Sequence, residues 1–158
     1  SSAATADFTA MLAMAARYFK PYDAKYAQTC LQAATKSYTF LTNNPDNKRP
    51  NLRAFRTGGY DTRDGDDRVW AAAEMWETTG EAQYLKDFEA RAIAAGTGRR
   101  RSGSTSKIDE NWDWGNLKNL GMFTYLLSER QGKNADILKD VRRELLSTAD
   151  AIAAQSNK

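Results

Sequence analysis

The chain has 158 residues, the size of one domain, and its 23 lysines and arginines exceed its 20 aspartates and glutamates by three charges. That excess is too small to call for a nucleic-acid or anionic-membrane partner. The absence of histidine and the single cysteine exclude Ser-His-Asp and Cys-His catalysis, histidine pH switches, most zinc sites and any internal disulfide.

Twenty-five alanines against ten glycines and three prolines favour packed helices. Apolar positions recur at helical spacing almost throughout. The first predicted helix is capped by Thr5, carries Phe8, Met11, Leu12, Ala15 and Phe19 on one face, and closes at Pro21. The second runs from about Asp23 to Asn43 with Tyr26, Cys30, Leu31, Ala34, Tyr38 and Leu41 on its stripe. Asn43-Asn44-Pro45 stops it, and Cys30 reads as a buried thiol. Residues 44–65 lack helical period, hold two of the prolines, and lead into clustered aspartates; a loop of that length is usually functional or flexible.

Helix three begins at Asp66-Asp67, two carboxylates suited to a positive helix N-terminus, and ends at Thr79-Gly80. Helix four covers about 81–95. Trp70, Trp76, Tyr84 and Phe88 sit at helical spacing and are expected in the core. A second polar loop, 96–110, contains Arg99-Arg100-Arg101 without aromatic neighbours, which reads as solvated loop rather than a nucleic-acid site. Helix five spans about 115–129, and Gly132 breaks it. Helix six spans about 135–155 with Ile137, Leu138, Val141, Leu145, Leu146, Ala149 and Ile152 on its stripe. No segment alternates as a strand, and no apolar run approaches the ~20 residues of a membrane span. The chain is all-α: three dissimilar helical hairpins in one segment, 1–158, arranged as a bundle, a solenoid or part of an α/α toroid. A start at Ser-Ser-Ala rather than Met implies that the chain is processed or cut from something longer.

Two stretches could carry chemistry. In Gly58-Gly59-Tyr60-Asp61-Thr62-Arg63-Asp64-Gly65-Asp66-Asp67, four carboxylates within seven positions repel unless a cation or arginine neutralises them. A calcium ion would take such carboxylates with loop carbonyls, although the EF-hand spacing fails because Ala71 stands where the bidentate Glu belongs. The other reading is helix capping by Asp66 or Asp67, with Arg63 and Arg68 as counter-charges. Asp66 and Asp67 are adjacent, point in different directions, and make a poor acid/base pair. In Asn111-Trp112-Asp113-Trp114-Gly115-Asn116, two tryptophans flank an aspartate at a helix start; they are either a core anchor or platforms that stack on sugar rings.

The run Asp66-Asp67-Arg68-Val69-Trp70-Ala71-Ala72-Ala73-Glu74-Met75-Trp76, then Thr78-Thr79-Gly80-Glu81 and Tyr84-Leu85, resembles a central motif of glycoside hydrolase family 9. Trp112-Asp113-Trp114-Gly115-Asn116, Leu120-Gly121 and Tyr125-Leu126-Leu127 resemble its next segment. Arg17, Tyr22, Asp23, Tyr26, Ala27, Cys30 and Leu31 match an earlier helix pair. The resemblance covers nearly the whole chain and is strongest to secreted bacterial cellulases and cellobiohydrolases with an immunoglobulin-like domain before the catalytic one.

It implies an (α/α)6 toroid that cleaves β-1,4-glucans with inversion. It also implies that this chain is the middle of the catalytic domain. The family's paired-aspartate motif would lie before it and the histidine motif and acid glutamate after it, leaving no catalytic residue here and an inactive isolated chain. By the same resemblance, Asp66, Asp67 and Asp113, with the carbonyls of Thr62 and Arg63, would hold a structural calcium ion. Tyr60, Trp112 and Trp114 would contact the glucan. The implied partners are the substrate and the remainder of the catalytic domain, with no nucleic acid and no membrane. The alternative is a helical scaffold or carbohydrate-binding module that kept the loops and lost the chemistry.

Overall fold

A computed structural model describes residues 1–54, 63–93, 106–110 and 115–156. These form six α-helices, with no strand among the described residues: α1 (Ser2–Phe19), α2 (Ala24–Asn43), α3 (Gly65–Thr79), α4 (Ala82–Ile93), α5 (Lys118–Leu127) and α6 (Ala135–Ser156). None of these helices is long and apolar enough to cross a membrane.

The odd-numbered helices lie side by side, α3 between α1 and α5, and each even-numbered helix packs outside the odd one before it. The result is two concentric layers, three helices in each. α3 sits where every direction is occupied, so all residues from Asp66 to Trp76 are buried. Ala71, Ala72 and Ala73 let its neighbours approach closely. At the contact with α5, a Cβ on Gly121 would stand 3.0 Å from the Val69 carbonyl oxygen and 3.1 Å from the Trp70 Cα, so any larger residue would require the α3 backbone to give by a few tenths of an ångström. Phe88 stacks on Tyr125 with ring centroids 4.6 Å apart, joining the outer layer to α5. Trp70, Trp76, Tyr84, Phe88 and Cys30 are buried, as expected from their spacing.

The helix stops follow local chemistry. Asn43 ends α2, and Gly80, in the left-handed region at φ 75°, caps α3 by donating its N–H to the Trp76 carbonyl. The starts depart from expectation in three places. Ser1 rather than Thr5 caps α1, accepting from the Ala4 N–H at 3.4 Å, and Thr5 bonds back to the Ser1 carbonyl. α3 begins at Gly65, with Asp66 and Asp67 in its first turn. α5 begins at Lys118 rather than near Gly115, because the side chains before it are engaged in a polar cluster.

Two apolar faces also differ. The buried face of α1 is Ala3, Ala6, Ala10, Ala13 and Ala16; Phe8 and Met11, expected inside, are 50% and 61% exposed. Small residues win the helix contacts because they allow close approach to α2 and α3, and the bulky side of α1 turns to the concave side of the inner layer. Phe19 and Tyr26 are likewise half-exposed and meet edge to face at 5.2 Å. On α6 only Ile137 and Val141 are buried, while Leu146 and Ile152 are exposed. At about 1.5 Å per residue, this 22-residue helix outruns the 10-residue α5 beneath it, and most of its second half is exposed among the described residues.

Candidate functional site

The N-terminal ends of α1, α3 and α5 come together at one end of the inner layer. Ser2 donates its N–H to the Lys48 carbonyl at 2.9 Å and receives the Lys48 N–H on its hydroxyl at 2.8 Å, which ties the start of α1 to the segment after α2. Arg68 ties the start of α3 to the end of α2: it pairs with Asp64 at 2.8 Å and donates to the carbonyls of Leu41 (2.9 Å) and Asn44 (2.7 Å). The guanidinium therefore adds donors to the carbonyls at and just past the end of α2, where the Leu41 oxygen also accepts the Asn44 N–H at 3.2 Å. Asp64, and not Asp66 or Asp67, is its carboxylate partner.

Asp66 is 1% exposed and accepts the Leu117 N–H on Oδ2 at 2.9 Å, joining the start of α3 to the start of α5. Asp67 is buried beside it, and Arg63 is exposed just ahead of the helix. Tyr60, Thr62, Trp112, Asp113 and Trp114 lie outside the described residues, as does the arginine triplet at 99–101. Among the described residues no three His, Cys, Asp or Glu side chains are grouped to hold a metal. Asp66 and Asp67 are hard oxygen donors of the kind calcium takes, two carboxylates toward the six to eight oxygens it needs. They fit the ion chemically if 62, 63 and 113 supply the remainder.

A second polar cluster stands next to Asp66, and of its members only Asn116 belongs to a stretch that the sequence singled out. Lys118, buried, places its ammonium 3.1 Å from Asp109 Oδ2 and 2.7 Å from the Ser106 carbonyl. The Asn116 amide donates to the same Asp109 oxygen. Asn119 accepts the Asp109 N–H at 2.8 Å and donates to the Asp109 carbonyl at 3.0 Å. From α6, Glu144 Oε2 accepts from the Ser106 hydroxyl (2.8 Å), the Lys107 N–H (2.5 Å) and the Ile108 N–H (3.3 Å). Glu144 follows Ile137 and Val141 at helical spacing, and a carboxylate on that buried stripe is a sequence signal beside Asn116.

A third group lies deeper, on the concave side of the inner layer. Glu74, buried in α3, accepts from Arg17 of α1 (2.8 Å), Thr124 of α5 (2.5 Å) and the Trp70 indole (3.3 Å). It stands in a groove of about 410 Å³ between the three inner helices, lined also by Met14 and Phe123. A larger hollow of about 610 Å³ lies at the other end of the inner helices, between Lys20, Leu31 and Arg130, away from the converging loops. In the outer layer, burial and the bond to Asp87 push the Tyr38 hydroxyl well above the ordinary phenol range. Burial and the bond to Glu89 do the same to Tyr125.

Comparison with known proteins gives one answer at every level. The model of glycosyl hydrolase family 9 matches residues 1–158. Endoglucanase D of Acetivibrio thermocellus is 55% identical over 157 residues, which is 99% of this chain and 24% of that protein. The crystal structure of a thermostable endoglucanase from Alicyclobacillus acidocaldarius aligns with a TM-score of 0.80 at 26% identity, over 98% of this chain and 27% of that one. That of the family 9 endoglucanase J30 aligns with a TM-score of 0.74 at 31% identity, over 95% of this chain and 26% of that one. The double-layered arc is thus part of an (α/α)6 toroid, and the chain spans about a quarter of the length of the relatives it matches.

Proposed function

The chain belongs to glycosyl hydrolase family 9, and we propose that it supplies three hairpins of a secreted catalytic domain that hydrolyses β-1,4-glucans with inversion. The observation that carries this reading is the whole-length match to an endoglucanase of which the chain spans 24%. Inversion requires two carboxyl groups about 6.5–9.5 Å apart, one delivering a proton and the other activating water. Three of the four buried acidic side chains among the described residues bond structural donors instead: Glu74 to Arg17, Asp64 to Arg68, and Asp66 to the Leu117 N–H. On this reading the acid and the base lie in the remainder of the domain, and the chain alone is inactive.

The chain's contribution is the cleft end of three inner helices. Tyr60, Trp112 and Trp114 would stack on glucose rings. Asp66 and Asp67, with Asp113 and the carbonyls of Thr62 and Arg63, would hold a calcium ion that ties the two loops together. Calcium would supply charge neutralisation and order there. Asp66 already links α3 to the segment carrying Trp112, so the ion would reinforce a connection the protein makes by itself.

The test is hydrolysis of a soluble β-1,4-glucan by the whole protein, with the anomeric form of the first product followed by proton NMR. Release of the α-anomer is expected. A whole protein that binds cello-oligosaccharides without cleaving them would transfer the reading to the scaffold or carbohydrate-binding alternative.

A further inference from the structure

The hollow at the C-terminal ends of α1 and α3 has no part in the cleft. Glu77 on its wall lies eleven positions after Asp66 in α3. At about 1.5 Å per residue that is about 16 Å from the cleft end. Its volume of about 610 Å³ falls in the range of small-ligand sites, roughly 300–1,000 Å³. A recess of about 430 Å³ continues it along α2, and Gln28 and Leu31 line both. Ala24, Gln28 and Gln32 recur one turn apart on that helix, as do Ala27, Leu31 and Thr35. The two recesses therefore form one furrow along an outer helix, about 16 Å from Ala24 to Thr35.

The lining is amphipathic and holds little free charge. Ala16 and Ala27, both buried, and half-buried Leu31 make an apolar floor. Arg17 is engaged by Glu74 and Thr78, and Arg130 by the carbonyls of Glu77 and Thr78, so neither guanidinium calls for an anion. Lys20 and Glu129, of opposite sign, are exposed on the rim. One acceptor is left over. Glu77 Oε2 accepts no hydrogen bond among the described residues, with the Arg130 Nε 3.7 Å away. The last torsion of a glutamate is soft, so this oxygen can turn to a donor in the hollow. Gln28, exposed beside it on the lining, offers an amide that both donates and accepts. A neutral, elongated ligand with apolar ring faces and hydroxyl donors fits these groups; an ion does not.

We propose that this furrow is a second, non-catalytic glucan site, in which Glu77 and Gln28 bond the hydroxyls of a short β-1,4-glucan stretch lying on Ala27 and Leu31. The choice of a glucan rests on the proposed function. α2 belongs to the outer layer, and Lys20, Ala24 and Gln28 are exposed, so closing the ring on its concave side leaves this mouth in solvent. A glucan bound there holds the domain on its substrate while the cleft stays free.

The experiment uses the whole protein and cellobiose, with binding followed by calorimetry. Wild type should bind two cellobiose molecules, one in the cleft and one in the furrow. Gln28→Ala should weaken one of them about fivefold, the loss of a neutral hydrogen bond, and Glu77→Ala about tenfold or more, the loss of a charge-assisted one. Ala24→Trp fills the mouth from an exposed position and should abolish that site. Thr29→Ala, exposed on the same helix but off the furrow, should bind as wild type.

If Glu77→Ala, which also loses the Arg130 pair, does not fold, Gln28→Ala and Ala24→Trp decide. Cellobiose binding that is absent, or that both variants leave unchanged, overturns the furrow. Cleavage of soluble β-1,4-glucan by the same protein then keeps the glucan reading standing. A whole protein that neither binds cellobiose nor cleaves the glucan overturns both.

Discussion

Replacing Glu74 by alanine isolates what holds the three inner helices in register. The carboxylate accepts from one donor on each: Arg17 on α1, Trp70 on α3 and Thr124 on α5. Their fates after truncation differ. Thr124 keeps its bond to the Leu120 carbonyl, and Arg17, whose side chain is 25% exposed, keeps Thr78 at 2.7 Å and can reach water. The Trp70 N–H is left buried without its acceptor. Losing a charge-assisted bond costs about 1.5–3 kcal/mol, and orphaning a buried donor about 1–3 kcal/mol. The partial exposure of Arg17 favours the lower ends, for a total of about 3 kcal/mol. At roughly 2–4 °C per kcal/mol for a chain of this size, the melting temperature should fall by about 6–12 °C. Glu74→Gln retains an acceptor for Thr124 and should cost about half as much. Circular dichroism melts and urea titrations of wild type, Glu74→Ala, Thr124→Val and the double variant complete the cycle. Because Thr124→Val loses only the bond to the Leu120 carbonyl once Glu74 is gone, the two effects should be less than additive. A Glu74→Ala variant within about 0.5 kcal/mol of wild type, or strict additivity with Thr124→Val, would refute the reasoning.

Arg68→Met should destabilise by about 3 kcal/mol, because it leaves buried Asp64 without its partner and uncaps the last carbonyls of α2; a melting temperature within 2 °C of wild type, on the order of half a kcal/mol, would contradict this. Tyr38 and Tyr125 hold their protons in the folded state above the ordinary phenol value near 10, whereas the unfolded chain loses them there. Stability is therefore full below about pH 10 and falls as the pH rises beyond it; Tyr38→Phe should flatten this alkaline loss in melts from pH 8 to 12. Calcium should raise the melting temperature, and Asp66→Ala should abolish that increment as well as costing the Leu117 bond; melts unmoved by EDTA would exclude the ion. The 158-residue chain by itself should self-associate through Phe8, Met11, Tyr18 and Leu127, all exposed on helices of the inner layer; a monomer by sedimentation that binds no hydrophobic dye would count against a missing half.

The parts of this fold that were legible in the sequence are those decided locally. Asn44-Pro45 and Gly80 end helices through backbone geometry, and Trp76, Phe88 and Tyr84 are too large and regularly spaced to lie elsewhere than in the core. The buried side of α1 was not legible, because periodicity weighs bulk whereas close helix contact selects alanine. Glu74 could be quoted as part of a motif, but its partners on α1 and α5 are 57 and 50 positions away, and no local rule assigns them. Asp66 and Asp67 could be read as helix-start carboxylates. The bond from Asp66 to the Leu117 N–H, 51 positions on, could not. The cluster around Asp109 was hidden for the same reason: Lys118 looks like a solvent-facing charge until 106–109 is folded against it.

The most direct test of the account compares the 158-residue chain with the whole protein on cellotetraose. The account predicts no cleavage by the chain alone, and cleavage with formation of the α-anomer by the whole protein. Hydrolysis by the isolated chain, or none by the whole protein, would contradict it.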